Sequence, residues 1–118
     1  MEEQFGTHSL SLAVKDIKAS KAFYEKLGFE ALTQFGSIKE KWMIMQRGAY
    51  KIGLFQDMFE ENIITFNPED ARSIHSDLKE KGIDFLMESP SISEEKGPCH
   101  FCISDPDGNQ ILFDQHNE

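Results

Sequence analysis

The chain is built from two halves that align with each other at an offset of 54 residues: Asp16 with Asp70, Ser20 with Ile74, Tyr24 with Leu78, Gly28 with Gly82, Phe29 with Ile83, Glu30 with Asp84 and Leu32 with Leu86. Few of these pairs are identical, but the carboxylates that can cap a helix and the glycines that can end one coincide. A shared period of this length is the mark of a duplicated module. A module with one helix and four strands cannot cover both faces of its sheet, so two of them are needed to enclose a cleft.

Each half reads as β-α-β-β-β. From Thr7 to Val14, Ser9, Ser11 and Ala13 alternate with Leu10, Leu12 and Val14, the period of a strand with one face in a core. Asp16 is placed to cap a helix whose apolar stripe is Ile17, Phe23, Tyr24 and Leu27, with Ser20 on the same side and Gly28 as its stop. Phe29 to Phe35 reads as a strand broken by Gly36-Ser37, and Lys41 to Gln46 and Tyr50 to Phe55 as strands joined by a tight turn at Gly48-Ala49. Residues 56–61 connect the halves; Met58 and Phe59 within them are apolar and are expected to pack on something.

In the second half, Ile63 to Phe66 is a strand. Asn67 is expected to cap the next helix, with Pro68 first and Asp70 three residues after the cap. Ala71, Ile74, His75 and Leu78 form its buried stripe, and Gly82 its stop. Ile83 to Met87 reads as a strand, Pro90 to Pro98 as a mobile polar loop, and Phe101 to Ser104 and Ile111 to Phe113 as a final hairpin. Its turn, Asp105-Pro106-Asp107-Gly108-Asn109, is specific: Asp105 can accept from the backbone two residues on, Pro106 sets φ, and Gly108 can adopt the left-handed conformation.

The 118 residues suffice for one domain with a core, and 39% hydrophobic with 28% charged residues describes a globular chain. No apolar run has the length of a membrane span. Met1-Glu2-Glu3-Gln4 lacks the basic start of a signal peptide, so a cytoplasmic location is expected. The net charge of −9 argues against nucleic acid as a partner and is compatible with a cationic ligand. Cys99 and Cys102 have C-x-x-C spacing but lie in a strand, where residues three apart point to opposite faces; both are expected to be reduced and unpaired.

Four pieces together resemble the vicinal oxygen chelate family, which includes glyoxalase I, extradiol dioxygenases, fosfomycin thiol-transferases and bleomycin-binding proteins. They are Val14-Lys15-Asp16-Ile17, Ala22-Phe23-Tyr24-Glu25-Lys26-Leu27-Gly28-Phe29, Ile52-Gly53-Leu54-Phe55, and Asp105-Pro106-Asp107-Gly108-Asn109-Gln110-Ile111. The resemblance implies an α+β, glyoxalase-like fold, with two tandem βαβββ modules forming curved mixed sheets around a cleft. The chain is then a single domain over residues 1–118, with modules at about 5–57 and 61–116, and commonly a homodimer.

Family enzymes hold a divalent metal with His, Glu or Gln side chains from four strands. The resemblance places those positions at Ser9, Gly53, Ile63 and Leu112, none of them a usual ligand for such a cation. No cofactor is expected, a divalent metal being the alternative. A one-residue slip would bring His8 inward but would also turn Leu10, Leu12 and Val14 to the wrong face.

The cleft faces then offer Ser9, Ser11, Trp42, Phe55, Thr65, His100, Gln110 and Asp114 as ligand-binding residues. Trp42 and Phe55 can stack on a planar ligand. His100 is the imidazole of this set and the candidate general acid or base. The reading is a small-molecule-binding protein without the usual metal centre. Its alternatives are a metal-dependent glyoxalase-like lyase or dioxygenase, and a metal-free enzyme using His100.

Overall fold

A computed structural model describes residues 3–117 of the chain. Two helices and eight strands follow in repeated βαβββ order: β1 (Thr7–Val14), α1 (Ile17–Lys26), β2 (Glu30–Ser37), β3 (Trp42–Arg47), β4 (Tyr50–Gln56), β5 (Ile63–Asn67), α2 (Ala71–Glu80), β6 (Met87–Glu88), β7 (Cys99–Ser104) and β8 (Gln110–Gln115). The fold is therefore α+β. The chain condenses into two compact units, one of Ser9–Asn62 and one of the residues up to His8 with those from Ile63 on.

In the Ser9–Asn62 unit β1 runs parallel to β4, β4 antiparallel to β3, and β3 antiparallel to β2. The other unit repeats the scheme: β5 is parallel to β8, β8 antiparallel to β7, and β7 antiparallel to β6. Each helix packs its buried stripe on one face of its own sheet. Ile17, Met43, Met45 and Leu54 form one core, with Leu12, Val14, Tyr24 and Phe29 around them. Ala71, Ile74, Cys99, Phe101 and Phe113 form the other. There the aromatic rings dominate: Phe101 stacks on Phe113 at 4.9 Å, and Phe5 meets Phe113 edge-on at 4.9 Å. Burying one such ring stabilises the fold by roughly 1.5–3 kcal/mol.

The helices start in the same way. The Asp16 carboxylate accepts from Lys18 N and Ala19 N at 3.1 and 3.3 Å, and that of Asp70 from Ser73 N at 3.1 Å. The N–H of each first helical residue is taken by a glutamine that ends the last strand of the module: Ile17 N donates to Gln56 Oε1 at 2.9 Å, and Ala71 N to Gln115 Oε1 at 2.8 Å. Both helices end in the same motif, with Phe29 N donating to Tyr24 O and Ile83 N to Leu78 O, around Gly28 at φ +96° and Gly82 at φ +83°.

Five sequence expectations need correction. Asn67 does not cap α2; it lies in β5 and its Nδ2 donates to Asp114 O at 2.9 Å, while Asp70 is the cap. That cap is the one the internal repeat pairs with Asp16. Phe23 and Leu27 are 56% and 51% exposed, because α1 buries only Ile17 fully and half-buries Tyr24. Gly36-Ser37 does not end β2: both pair with β3 beyond an irregularity that Gly36 accommodates at φ +73°. The strand expected over residues 83–87 is reduced to Met87–Glu88. The chain there turns inward so that Phe85 stacks on His75 at 4.2 Å, and His75 Nε2 in turn meets Glu88 Oε2 at 2.7 Å.

The segment expected to be a mobile loop is tied down. It contains a short 3₁₀ turn (Pro90–Ser93), and Arg72 donates to the carbonyls of Ser91, Gly97 and Lys96 at 2.8, 3.0 and 3.2 Å. Gln115 Nε2 adds a bond to Gly97 O at 3.1 Å.

The final turn is held by Asp105. Its carboxylate accepts from the backbone N–H groups of Asp107 and Asn109 at 2.9 and 2.8 Å and from the Asn109 amide at 2.8 Å. These bonds, the Asn109 side chain foremost, hold its pKa below the usual carboxylate value. The stabilisation is present above about pH 4, where an unfolded Asp is ionised. It is lost as pH falls through the lower folded value.

Gln115→Leu leaves the Ala71 N–H without its acceptor and removes one of the two bonds to Gly97 O; urea unfolding is expected to register a loss of about 1–3 kcal/mol. Asp105→Asn should flatten the acid limb of the stability profile below about pH 4, as read by melting temperature, and leave the slope near neutral pH unchanged.

Candidate functional site

The pleat of each sheet sends alternate side chains away from the helix, and strand register says which of them are neighbours. In the Ser9–Asn62 unit Ser11 is opposite Gly53 and Ala13 opposite Phe55 across β1 and β4, while Ile44 is opposite Gly53 and Trp42 opposite Phe55 across β3 and β4. Ser11, Gly53, Phe55 and Trp42 thus share the face turned away from the helix, with Ser9 two residues along β1. Trp42 and Phe55 stand with ring planes 6° apart and centroids at 6.1 Å, and Phe59 packs on Phe55 at 5.2 Å. The sequence left open whether Trp42 or Met43 faces this way; Met43 points into the core and Trp42 out of it. Ser9 and Ser11 are buried.

Gly53 is where the aromatic packing is tightest. A Cβ on Gly53 would lie 2.5 Å from Phe55 Cε2 and 3.4 Å from Ile44 Cδ1. The Phe55 ring folds back over the glycine and fills the space a side chain would use.

The second unit carries a different set in the corresponding place. Thr65 and Cys102 flank Leu112 on its two sides, Ile63 and Ser104 flank Gln110, and His100 lies opposite Asp114. Thr65 and Cys102 are buried, His100 and Gln110 half-buried. Asp114 Oδ2 is 3.4 Å from His116 Nε2. The proposed binding residues therefore divide between the units: Ser9, Ser11, Trp42 and Phe55 in one, Thr65, His100, Gln110 and Asp114 in the other.

Both thiols are free and buried, Cys99 on the helix side and Cys102 on the opposite face. Burial raises both above the ordinary thiol value, so they stay protonated and are poor nucleophiles. His8 is exposed, with its ring 5.2 Å from that of Phe66.

Two residues matter more than sequence reasoning assigned. Phe59 was visible only as an apolar residue in a connection, although it completes the aromatic row. Arg72 gave no sequence signal, since a lone arginine in a helix looks like any solvated charge.

The sequence pattern of the Glyoxalase/Bleomycin resistance protein/Dioxygenase superfamily matches residues 6–113. The chain belongs to that superfamily. Solved structures with the same fold include a superfamily member from Vibrio splendidus, at 17% identity and TM-score 0.65, covering 92% of this chain and 97% of that one. A hypothetical protein from Bacillus halodurans is similar at 17% identity and TM-score 0.68, with 93% of each chain covered. A methylmalonyl-CoA epimerase in complex with methylmalonyl-CoA and NH4+ is similar at 18% identity and TM-score 0.66, with 92% of each chain covered. No curated protein sequence matches the chain significantly.

The positions that the family resemblance implies for a metal carry poor donors in this chain. Ser9 offers a neutral hydroxyl, Gly53 nothing, and Ile63 and Leu112 hydrocarbon. Among the described residues no group of three or more His, Cys, Asp or Glu side chains is placed to hold an ion. At Gly53 a ring stands where a ligand side chain would have to grow.

Gly53→Ala should therefore push Phe55 out of its place beside Trp42, shift the Trp42 emission, and cost about 1–3 kcal/mol in urea unfolding. Pairing it with Phe55→Ala should recover much of that difference, and strict additivity in this double-mutant cycle would contradict the contact.

Proposed function

We propose that this protein binds a small, planar molecule without the superfamily's metal centre, and that Trp42 and Phe55 supply the stacking surface. The observation that carries the reading is the replacement of metal chemistry by ring chemistry at one spot: Gly53 provides no donor, and Phe55 covers it beside a parallel Trp42. Offset parallel rings bind flat π-systems through dispersion and quadrupole interactions. The buried hydroxyls of Ser9 and Ser11 on the same face supply polar contacts that fix orientation. Thr65, His100, Gln110 and Asp114 are the second set of proposed ligand-binding residues, on the equivalent face of their own unit. The net charge of −9 favours a neutral or cationic molecule over an anion.

A metal-dependent lyase or dioxygenase is disfavoured by the donor set. A metal-free enzyme has one specific observation behind it, the pairing of His100 opposite Asp114 on one face. The Asp114 carboxylate itself meets His116 Nε2 at 3.4 Å, so this reading rests on the His100 imidazole as acid or base. A homodimer in the cytoplasm completes the proposal, on the strength of the family resemblance and the sequence.

Trp42 is the only tryptophan, so its fluorescence reports on the proposed surface directly. A panel of planar aromatic probes titrated in the presence of a chelator is expected to give saturable quenching with at least one member. Phe55→Leu should weaken that binding by about threefold or more. Protein purified without chelators should hold transition metal well below one equivalent by elemental mass spectrometry. A stoichiometric metal, or turnover that appears only when nickel, zinc or manganese is added, would overturn the reading.

A further inference from the structure

Phe59 sits on an arch that joins β4 to β5, and the arch is built unlike a packed connection. One end is fixed at Asp57, whose backbone is left-handed at φ +62°, and whose carboxylate meets Lys41 Nζ at 3.1 Å. Lys41 is itself left-handed at φ +68°, and its carbonyl accepts from Gln56 N at 2.8 Å. Left-handed backbone is uncommon outside glycine, and tolerated more readily by Asp than by Lys. Two such residues joined by an ion pair make a strained corner, and strain of this kind collects where a segment has two arrangements. The other end is fixed by Asn62, whose Oδ1 accepts from Ala13 N at 3.0 Å.

Between these anchors Met58, Phe59, Glu60 and Glu61 make no hydrogen bond among the described residues. Phe59 is held by its ring contact with Phe55, and Met58 beside it is 50% exposed. Under the arch lies an open groove of about 640 Å³, lined by Ala13, Val14 and Lys15 on one side and by Met58, Phe59 and Glu60 on the other. That volume is in the range of sites for drug-sized molecules.

We propose that residues 57–62 form a self-occluding gate, in which Phe59 occupies the stacking place that a planar ligand takes against Phe55. The gate rests on the binding reading given above for what finally enters, but not for its own existence. Closed, Phe59 covers the Phe55 end of the Trp42–Phe55 pair, with its ring 5.2 Å from that of Phe55. Open, it swings about the Asp57 corner into the groove and leaves the Phe55 ring to the ligand. The Lys41–Asp57 pair is more than half exposed at both partners, so it is a weak latch that salt can screen. Because the closed state competes with ligand, a protein without the Phe59 ring should bind more tightly, not less.

The test needs no ligand. Acrylamide quenching of Trp42 is measured on the whole chain for wild type, Phe59→Ala and Lys41→Met, with circular dichroism to establish folding. The quenching constant is expected to rise about twofold or more in Phe59→Ala, and by a smaller amount in Lys41→Met and in wild type at high salt. Unchanged quenching in folded Phe59→Ala would overturn the gate and make Phe59 a plain core residue. Should that variant fail to fold, Lys41→Met decides by the same criterion. Where a planar probe binds wild type, Phe59→Ala should bind it about threefold to tenfold more tightly. Weaker binding by that variant would also overturn the gate. Failure of every planar probe alongside increased quenching would remove the ligand reading and leave the gate standing.

Discussion

Each helix of this protein begins on a glutamine that its own sheet supplies. The first helical N–H groups have no partner within the helix, and a buried one must find an acceptor elsewhere. Here Gln56 and Gln115, at the ends of β4 and β8, reach the N–H groups of Ile17 and Ala71. Those two residues are also 2% and 0% exposed. One bond thus settles two matters: it satisfies a donor that water cannot reach, and it sets where along the sheet the helix lands. The placement of Met43, Met45 and Leu54 under α1, and of Phe101 and Phe113 under α2, follows from it. Aspartate caps and glycine stops then fix the two ends of each helix in register with its sheet.

Much of this was legible because the chain states it twice. Asp16, Gly28, Asp70 and Gly82 are recovered from the offset of 54 alone. Where local rules and the repeat disagreed, at Asn67 against Asp70, the repeat was the better guide. A capping motif is a local preference, whereas the partner that decides it, Gln115, lies 44 residues from Ala71. The same limit explains the other misses. Phe23 and Leu27 fit the helical period, but a ten-residue helix on one sheet face buries a narrower stripe than the sequence pattern suggests. The segment around Pro90 reads as loose because its restraints come from Arg72 and Gln115, and neither announces itself in the sequence. Of the candidate site, strand alternation was enough to assign Ser11, Phe55, Thr65, His100, Gln110 and Asp114 to the faces away from the helices. The closeness of Phe55 to Gly53 was not legible, since it depends on a side-chain rotamer.

The anchoring glutamines also give a ruler for the opposite faces. Gly53 and Leu112 each stand three residues before their glutamine, and Phe55 and Asp114 each stand one before. The cross-strand partner of Phe55 is Trp42, and that of Asp114 is His100. The two modules therefore keep one framework, and this equivalent pair is aromatic in the first and an acid with an imidazole in the second. Residues on the helix side are constrained by packing, where a lost ring costs about 3–5 kcal/mol. Residues on the other side are constrained by whatever they contact in use. The helix-side cores differ as well, aliphatic and methionine-rich under α1 and aromatic under α2, so what the two modules retain is the set of caps, stops and glutamine anchors.

A metal site is an all-or-nothing arrangement, because a cation bound by too few donors is lost to water. At the positions that the resemblance implies, Gly53 carries no donor, and hydrocarbon at Ile63 and Leu112 is then no worse than a carboxylate. An exposed patch of sheet backbone is then left at Gly53, and a neighbouring ring that folds over it gains apolar burial at once. Phe55 does this, and Trp42 and Phe59 both pack on its ring. The aromatic row is in this sense a repair to the sheet, and the proposed stacking surface builds on it. In the gate proposed above, Phe59 is the ring that yields for the surface to be used. Its place within residues 58–61, which make no hydrogen bond among the described residues, is what permits this.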